Sequence, residues 1–397
     1  MKKYIALLLA LVMVFALAAC GSSDAGNGAA GEPEGGYKVA MITDYGDITD
    51  QSFNQTTYEA CKAFCEKNSI DFTYYKPAGD STADRVAMVE KAVDDGYNVV
   101  VMPGFAFAGT IVEVQDEYPD VKFIALDVSE YDIMSSFYKD GNMDGELLDA
   151  DNEPHVAKNV YSAVYQEELC GYMAGYAAVM LGYEKLGFLG GMAVPAVIRY
   201  GYGFVQGCDA AAAALEKTVD IKYAYGNQFY GDADITAAMD TWYADGTQVV
   251  FACGGGIFTS AVDAAKKVEG AKVIGVDVDQ AGVIAGYGKV EDLTVTSAMK
   301  GLAATVDTML TETVLNGNWE QFGGKIETLG LVSGDDPSLN YVGIPMGDGT
   351  QWSDSFTLDD YSALVKDMFD GKIKVSADIE NEPAVTAANV EYLGNIK

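Results

Sequence analysis

The feature that most constrains this chain is a rhythm. From residue 37 onward short apolar runs alternate with longer segments of helical period, and the alternation pauses once and starts again. Residues 38–42, 71–76, 98–102, 122–127 and 159–164 read as strands, with helices at 58–66, 81–95, 109–117 and 167–181 between and after them. A second series has strands at 185–189, 219–225, 248–252, 272–276 and 294–298, and helices at 197–215, 232–244, 259–268 and 300–315. Strands alternating with helices specify a parallel α/β sheet with right-handed crossovers. Two series of similar length predict two similar lobes whose strand-end loops face each other across a cleft. Residues 131–158, rich in Gly, Asp and Asn, break the rhythm and read as a surface insertion. The tail from 323 to 397 reads as one helix at 357–370 with short strands.

The most distinctive loop follows the first strand. Residues 43–55 read Thr-Asp-Tyr-Gly-Asp-Ile-Thr-Asp-Gln-Ser-Phe-Asn-Gln. A loop at the carboxyl end of a strand is where open α/β sheets hold ligands. Carboxylates, an amide and aromatics within a few residues suit a polar, flat ligand better than a metal or a phosphate: a ribose offers hydroxyls to carboxylates, and a base offers a face to a ring. No histidine–cysteine–carboxylate set with metal-ligand spacing stands out, and the only histidine, His155, lies in the insertion, away from any Ser or Cys nucleophile.

The formal charge of −34 over 397 residues argues against nucleic acid as a partner and against adhesion to anionic lipid. Membrane attachment is expected by another route. Lys2 and Lys3, an apolar core over residues 4–16, and Leu17-Ala18-Ala19-Cys20 form a bacterial lipoprotein signal. Residues 1–19 are then the signal peptide, Cys20 the lipidated N-terminus, and the Gly- and Ser-rich residues 20–36 a flexible tether. The other cysteines, Cys61, Cys65, Cys170, Cys208 and Cys253, are odd in number and read as small buried apolar residues.

An ordered set of motifs resembles the basic membrane protein (PnrA-like) family of lipoproteins. It comprises Asp44-Tyr45-Gly46, Asp50 to Gln55, Gly104-Phe105-Ala106-Phe107, residues 118–123 before Asp127, Gly187 to Met192, Gly275 to Gln280, and Ser297 to Lys300. The resemblance implies a type I periplasmic-binding-protein fold: α/β, two Rossmann-like lobes, a hinge and an interlobe cleft. The lobes are expected at residues 37–160 with 296–325, and at 161–295 with 326–397. It further implies a monomeric, lipid-anchored solute-binding protein on the extracytoplasmic face of the cell membrane. This receptor takes a nucleoside (adenosine, guanosine or inosine) to an ABC permease, with no enzymatic activity and no cofactor.

Carried over residue by residue, the ligand set is Asp44, Phe53, Asn54, Asp127, Phe229, Gly255, Asp277 and Lys300. Phe53 and Phe229, or Tyr230 in its stead, would sandwich the base, each stack contributing about 1–3 kcal/mol. Asp127 and Asp277 would accept from the ribose hydroxyls, Asp44 and Asn54 would read the base edge or the 5′-hydroxyl, and Lys300 would neutralise the carboxylates. Gly255, in the Gly254–Gly256 turn, would let backbone amides approach. Each has a plainer reading as core ring, turn former or solvated lysine. Rival functions are a sugar receptor on the same fold, a surface lipoprotein that binds a protein partner, and an exported nucleoside hydrolase.

Overall fold

The computed structural model describes residues 35–139 and 155–397. The expected signal segment, Cys20, most of the expected tether and residues 140–154 lie outside the described residues. Thirteen strands are described: β1 Lys38–Ile42, β2 Asp71–Tyr75, β3 Val99–Pro103, β4 Lys122–Leu126, β5 Val160–Tyr165, β6 Lys185–Gly190, β7 Val219–Tyr225, β8 Val249–Cys253, β9 Lys272–Asp277, β10 Thr294–Lys300, β11 Lys325–Leu329, β12 Val342–Gly343 and β13 Ala388–Asn395. The α-helices are α1 Phe53–Asn68, α2 Thr82–Asp94, α3 Phe107–Val114, α4 Glu130–Lys139, α5 Glu167–Met180, α6 Pro195–Ala214, α7 Ala233–Ala244, α8 Phe258–Ala265, α9 Ala281–Gly288, α10 Leu302–Leu310 and α11 Leu358–Phe369.

The strands form two sheets. The first has the order β11-β5-β4-β3-β1-β2 and the second β12-β10-β9-β8-β6-β7-β13. Within them, 5-4-3-1-2 and 10-9-8-6-7 are the same order displaced by five strands, so the restarted rhythm is a repeated fold. Pairing is parallel throughout except for β12 against β10. The central strands Val-Val-Val-Met-Pro (β3) and Val-Val-Phe-Ala-Cys (β8) are wholly buried, as parallel strands covered on both faces must be. Edge strands β2 and β11 alternate exposed and half-buried residues.

The chain crosses between the sheets three times, after β5, β10 and β11. This corrects the expected partition. β5 belongs entirely to the first sheet, where Val160 to Ala163 pair with β4, and β11 returns to pair with β5 from Lys325 to Leu329. β10 stays in the second sheet through Lys300. The boundaries at 160, 296 and 326 therefore cut or misassign strands. Lys300 reads as a helix start in the sequence, but its charge is neutralised inside the fold and β10 continues through it. The helix expected at 300–315 is α10 followed by a π-turn at Thr311–Leu315.

The insertion expected at 131–158 is corrected in its first part, where α4 forms on a Ser129–Asp132 cap: Asp132 Oδ2 accepts from Ser129 N (2.9 Å) and Ser129 Oγ (2.5 Å). The Gly- and Ala-rich α5 packs on α6 as well as on its sheet. Gly171 and Gly175 of α5 lie against the backbone of Tyr200 and Phe204, and Gly203 and Gly207 of α6 lie against that of Glu168 and Tyr172. The first crossing is thereby locked to the second sheet. All five cysteines of the described residues are free and buried.

Candidate ligand-binding site

Both sheets change direction of winding at one place. β1 and β3 are neighbours in the first sheet and β6 and β8 in the second, so successive connections diverge there and leave a crevice beyond the strand ends. One cavity, with about 820 Å³ of empty space including its solvent-open mouth, occupies this position. Every residue of the expected ligand set lines it: Asp44, Phe53, Asn54, Asp127, Phe229, Gly255, Asp277 and Lys300.

Asp44 follows β1 and is fixed from three sides. Its Oδ1 accepts from Gly46 N and Asn54 Nδ2, both at 2.9 Å, and its Oδ2 lies so near Gly104 that a Cβ there would stand 2.3 Å away. Gly104 also has a φ of +122°, so a side chain is excluded twice over. Burial raises the Asp44 pKa to about 6 against those hydrogen bonds. Asn54 also donates to Asp50 Oδ2 (3.1 Å), and Asp50 accepts from the backbone N–H groups of Ser52, Asn54 and Gln55, so it terminates α1 in place of Ser52. Phe53, the first residue of α1, turns its ring beneath the Lys300 ammonium, 4.9 Å from its centroid.

Asp127 and Asp277 sit at equivalent strand ends of the two sheets, after β4 and at the end of β9. Both have left-handed backbone, with φ of 61° and 66°. Lys300, at the end of β10, reaches between them. It bonds Asp127 Oδ2 and lies 3.3 Å from Glu167 Oε1 and 3.8 Å from Asp277 Oδ1. Glu167, the first residue of α5, passes its other oxygen to Arg199 Nε of α6 at 2.7 Å. Burial opposes the charge on Lys300, but the three carboxylates hold its pKa above the ordinary lysine range. Burial likewise opposes ionisation of Glu167, and Arg199 and Lys300 prevail and lower it. Asp127 is raised to about 7 by burial, with Lys300 pulling the other way and Glu167 adding repulsion. Its Oδ1 is buried and without a hydrogen-bond partner.

Asp277 is more heavily engaged. Oδ2 accepts from Ser52 Oγ at 2.6 Å and Oδ1 from Tyr200 OH at 3.3 Å. The Ser52 bond joins the first-sheet loop to the second, and Gln280 Nε2 adds another by donating to Gln51 O at 3.0 Å. On the opposite wall, Phe229 lies against Gly191 and Gly254, where a Cβ would meet its Cδ1 at 2.5 and 2.9 Å. Phe229 lines the cavity. Tyr230, the alternative ring, is 63 % exposed and does not.

Sequence reasoning missed Ser52, Glu167, Arg199 and Tyr200. Glu167 reads locally as an ordinary acidic helix start, and Arg199 as one cation on an apolar helix; only the fold brings them to Lys300. Ser52 lies inside the motif that was singled out, and its omission could have been avoided. Among the described residues no group of three or more His, Cys, Asp or Glu side chains is placed so that it could hold a metal ion, and no helix is long and apolar enough to cross a membrane.

The chain matches the family model for ABC transporter substrate-binding proteins of the PnrA-like type over residues 37–342. It belongs to that family. The family is one of solute-binding proteins, not enzymes. A curated relative, the ABC transporter nucleoside-binding protein BmpA of Lactococcus lactis subsp. cremoris, is 29% identical over 92% of this chain and 96% of its own length. Basic membrane protein B of Borreliella afzelii is 26% identical over 75% of this chain and 79% of its own. A solved ABC transporter solute-binding protein from Aeropyrum pernix superposes with a TM-score of 0.61 at 19% identity, covering 85% of this chain and 87% of that one. This last likeness establishes the type I-like α/β fold.

Proposed function

We propose that this ABC transporter substrate-binding protein captures a purine nucleoside (adenosine, guanosine or inosine) between two lobes and delivers it to a membrane permease. The observation that carries the reading is the pair of strand-end carboxylates, Asp127 and Asp277, set about Lys300 in the cavity that Phe53 and Phe229 also line. Ribose hydroxyls would donate to Asp127, whose free Oδ1 lacks any other partner, and to Asp277 on exchange with Tyr200. Each such bond to a charged acceptor contributes about 1.5–3 kcal/mol. The base would lie between Phe53 and Phe229, with its edge or the 5′-hydroxyl toward Asp44 and Asn54, and Gly255 would admit it to the backbone of the second-sheet wall. The lactococcal relative, named as a nucleoside-binding protein, supports the same ligand class.

The lobes in this reading follow the sheets: β1–β5 with β11, and β6–β10 with β12 and β13. The three crossings form the hinge. Ligand contacts from both lobes exist together only when they are closed, so ligand shifts the population toward closure. Lipid attachment through Cys20 would hold the monomer at the extracytoplasmic face of the cell membrane. Small-angle scattering tests the mechanism. Saturating guanosine, inosine or adenosine should compact the protein, and an unchanged scattering curve with all three would remove the closure model.

A further inference from the structure

A second cavity adjoins the first. It holds about 850 Å³ of empty space, including its mouth, and shares Tyr45, Phe105, Asp132, Val194 and Pro195 with the main cavity as a common wall. Tyr45 and Phe105 stack at 5.9 Å and form the aromatic part of this wall. The far side contains Arg85 of α2, which is only 3 % exposed.

Arg85 is an unusual side chain to bury here. Its guanidinium lies 5.5 Å from the centroid of Tyr45 and 5.9 Å from that of Phe107. Nη1 donates to Asp80 O at 3.1 Å, and the Tyr45 hydroxyl is a further hydrogen-bond neighbour. Nε has no partner. Lys300 and Arg199, the other cations at the cavities, are each paired with carboxylates, whereas no carboxylate among the described residues forms an ion pair with Arg85. Asp44 attracts Arg85 from beyond ion-pair distance, and a buried cation without a contacting counter-ion is disfavoured unless something else supplies the negative charge. Ring faces offset part of that cost.

The surroundings point the same way. Thr82 is the first residue of α2, Ala106 precedes α3, and Val194 and Pro195 open α6, so three helix starts border the cavity. Helix starts carry partial positive charge. One carboxylate, Asp132, stands on the wall, and it is occupied by the Ser129 backbone and hydroxyl in capping α4.

We propose that the second cavity is an oxyanion subsite that takes a phosphate-sized anion, with Arg85 as its principal ligand. The anion is either free or carried as the 5′-phosphate of a nucleotide whose nucleoside part lies in the main cavity. The proposal does not depend on the nucleoside reading, because the anion chemistry resides in residues outside the proposed nucleoside ligand set.

Titration calorimetry at low ionic strength separates the cases. The purified protein would be titrated with inorganic phosphate alone, with guanosine, and with guanosine 5′-monophosphate. A nucleotide that binds about tenfold or more tighter than the nucleoside identifies a tethered anion, and binding of phosphate alone identifies a free one. In either case Arg85→Met should abolish the gain and leave guanosine affinity within about twofold, while Arg85→Lys keeps part of it. If Arg85→Met does not fold, phosphorus NMR of the wild type with phosphate and the Arg85→Lys protein still decide. The proposal is overturned if the wild type ignores phosphate and gains nothing from the 5′-phosphate, or if the gain survives in Arg85→Met. Loss of guanosine binding alone, with phosphate binding intact, would refute the nucleoside reading and leave the subsite standing.

Discussion

Asp127 and Asp277 occupy the same place in two copies of one fold, at the ends of β4 and β9, with nearly the same left-handed backbone. They are not alike. Asp277 is satisfied on both oxygens, by Ser52 and Tyr200, and the Ser52 bond joins the two sheets. Asp127 takes Lys300 on one oxygen and nothing on the other, and burial carries its pKa to about 7. Duplicated geometry therefore supports divided work. The second-sheet carboxylate holds the halves together. The first-sheet carboxylate is left short of a hydrogen-bond donor, which a ligand hydroxyl can supply. Lys300 is the hub of both arrangements.

Removing the hub should have the largest effect. Lys300→Met leaves Asp127 without its ion-pair partner in a buried site, while Glu167 keeps Arg199, and we expect a loss of about 3–5 kcal/mol of stability in urea unfolding. Retention of wild-type stability would mean that Asp127 does not depend on this lysine in the folded protein. The next test separates the two aspartates. Asp127→Asn and Asp277→Asn should each weaken nucleoside binding by about 1.5–3 kcal/mol in calorimetry, but Asp277→Asn alone should also open the ligand-free protein in scattering. Equal behaviour of the two variants in the ligand-free state would erase the division of work.

Acid titration sharpens the same contrast. The Asp127 pKa is raised, so the carboxylate protonates as the pH falls through about 7 and can no longer accept from a ribose hydroxyl without competition. Nucleoside affinity should fall by up to about tenfold per pH unit below that value, and in Asp127→Asn only the fall that Asp44 contributes below about pH 6 should remain. For stability the sign is opposite. A carboxyl whose folded pKa lies above its unfolded value near 4 favours the fold when protonated, so its cost grows as the pH rises from about 4 to about 7 and is constant above. The smallest expected effect is that of Ser52→Ala, which removes one intersheet bond and should weaken binding by about 0.5–1.5 kcal/mol without altering the pH dependence.

Much of this was legible because each signal was local. Lys-Val-Ala-Met-Ile before Thr43 and Val-Val-Val before Met102 are buried strands by composition alone, and the capping pairs Ser81–Asp84 and Thr357–Asp360 mark helix starts where the sequence reading put them. What failed was non-local. α9, Ala-Gly-Val-Ile-Ala-Gly-Tyr-Gly, has too much glycine to read as a helix, and β11, Lys-Ile-Glu-Thr-Leu, is a polar edge strand that acquires its identity only by pairing with β5. The site divided in the same way. Residues within motifs, such as Asp44, Phe53 and Asn54, were visible. Glu167 and Arg199 were not, because their role arises from the close approach of α5 and α6, which brings two unremarkable helix residues to within 2.7 Å of each other beside Lys300.

The most direct test of the central claim is titration calorimetry of the purified protein with guanosine, 2′-deoxyguanosine, guanine and ribose. We predict saturable binding of guanosine, binding of 2′-deoxyguanosine weakened by about tenfold or more through the lost hydroxyl, and weak or no binding of either fragment alone. Equal affinity for guanosine and its 2′-deoxy form would contradict the carboxylate roles, and no heat with any nucleoside, with adenosine and inosine as further titrants, would contradict nucleoside capture itself.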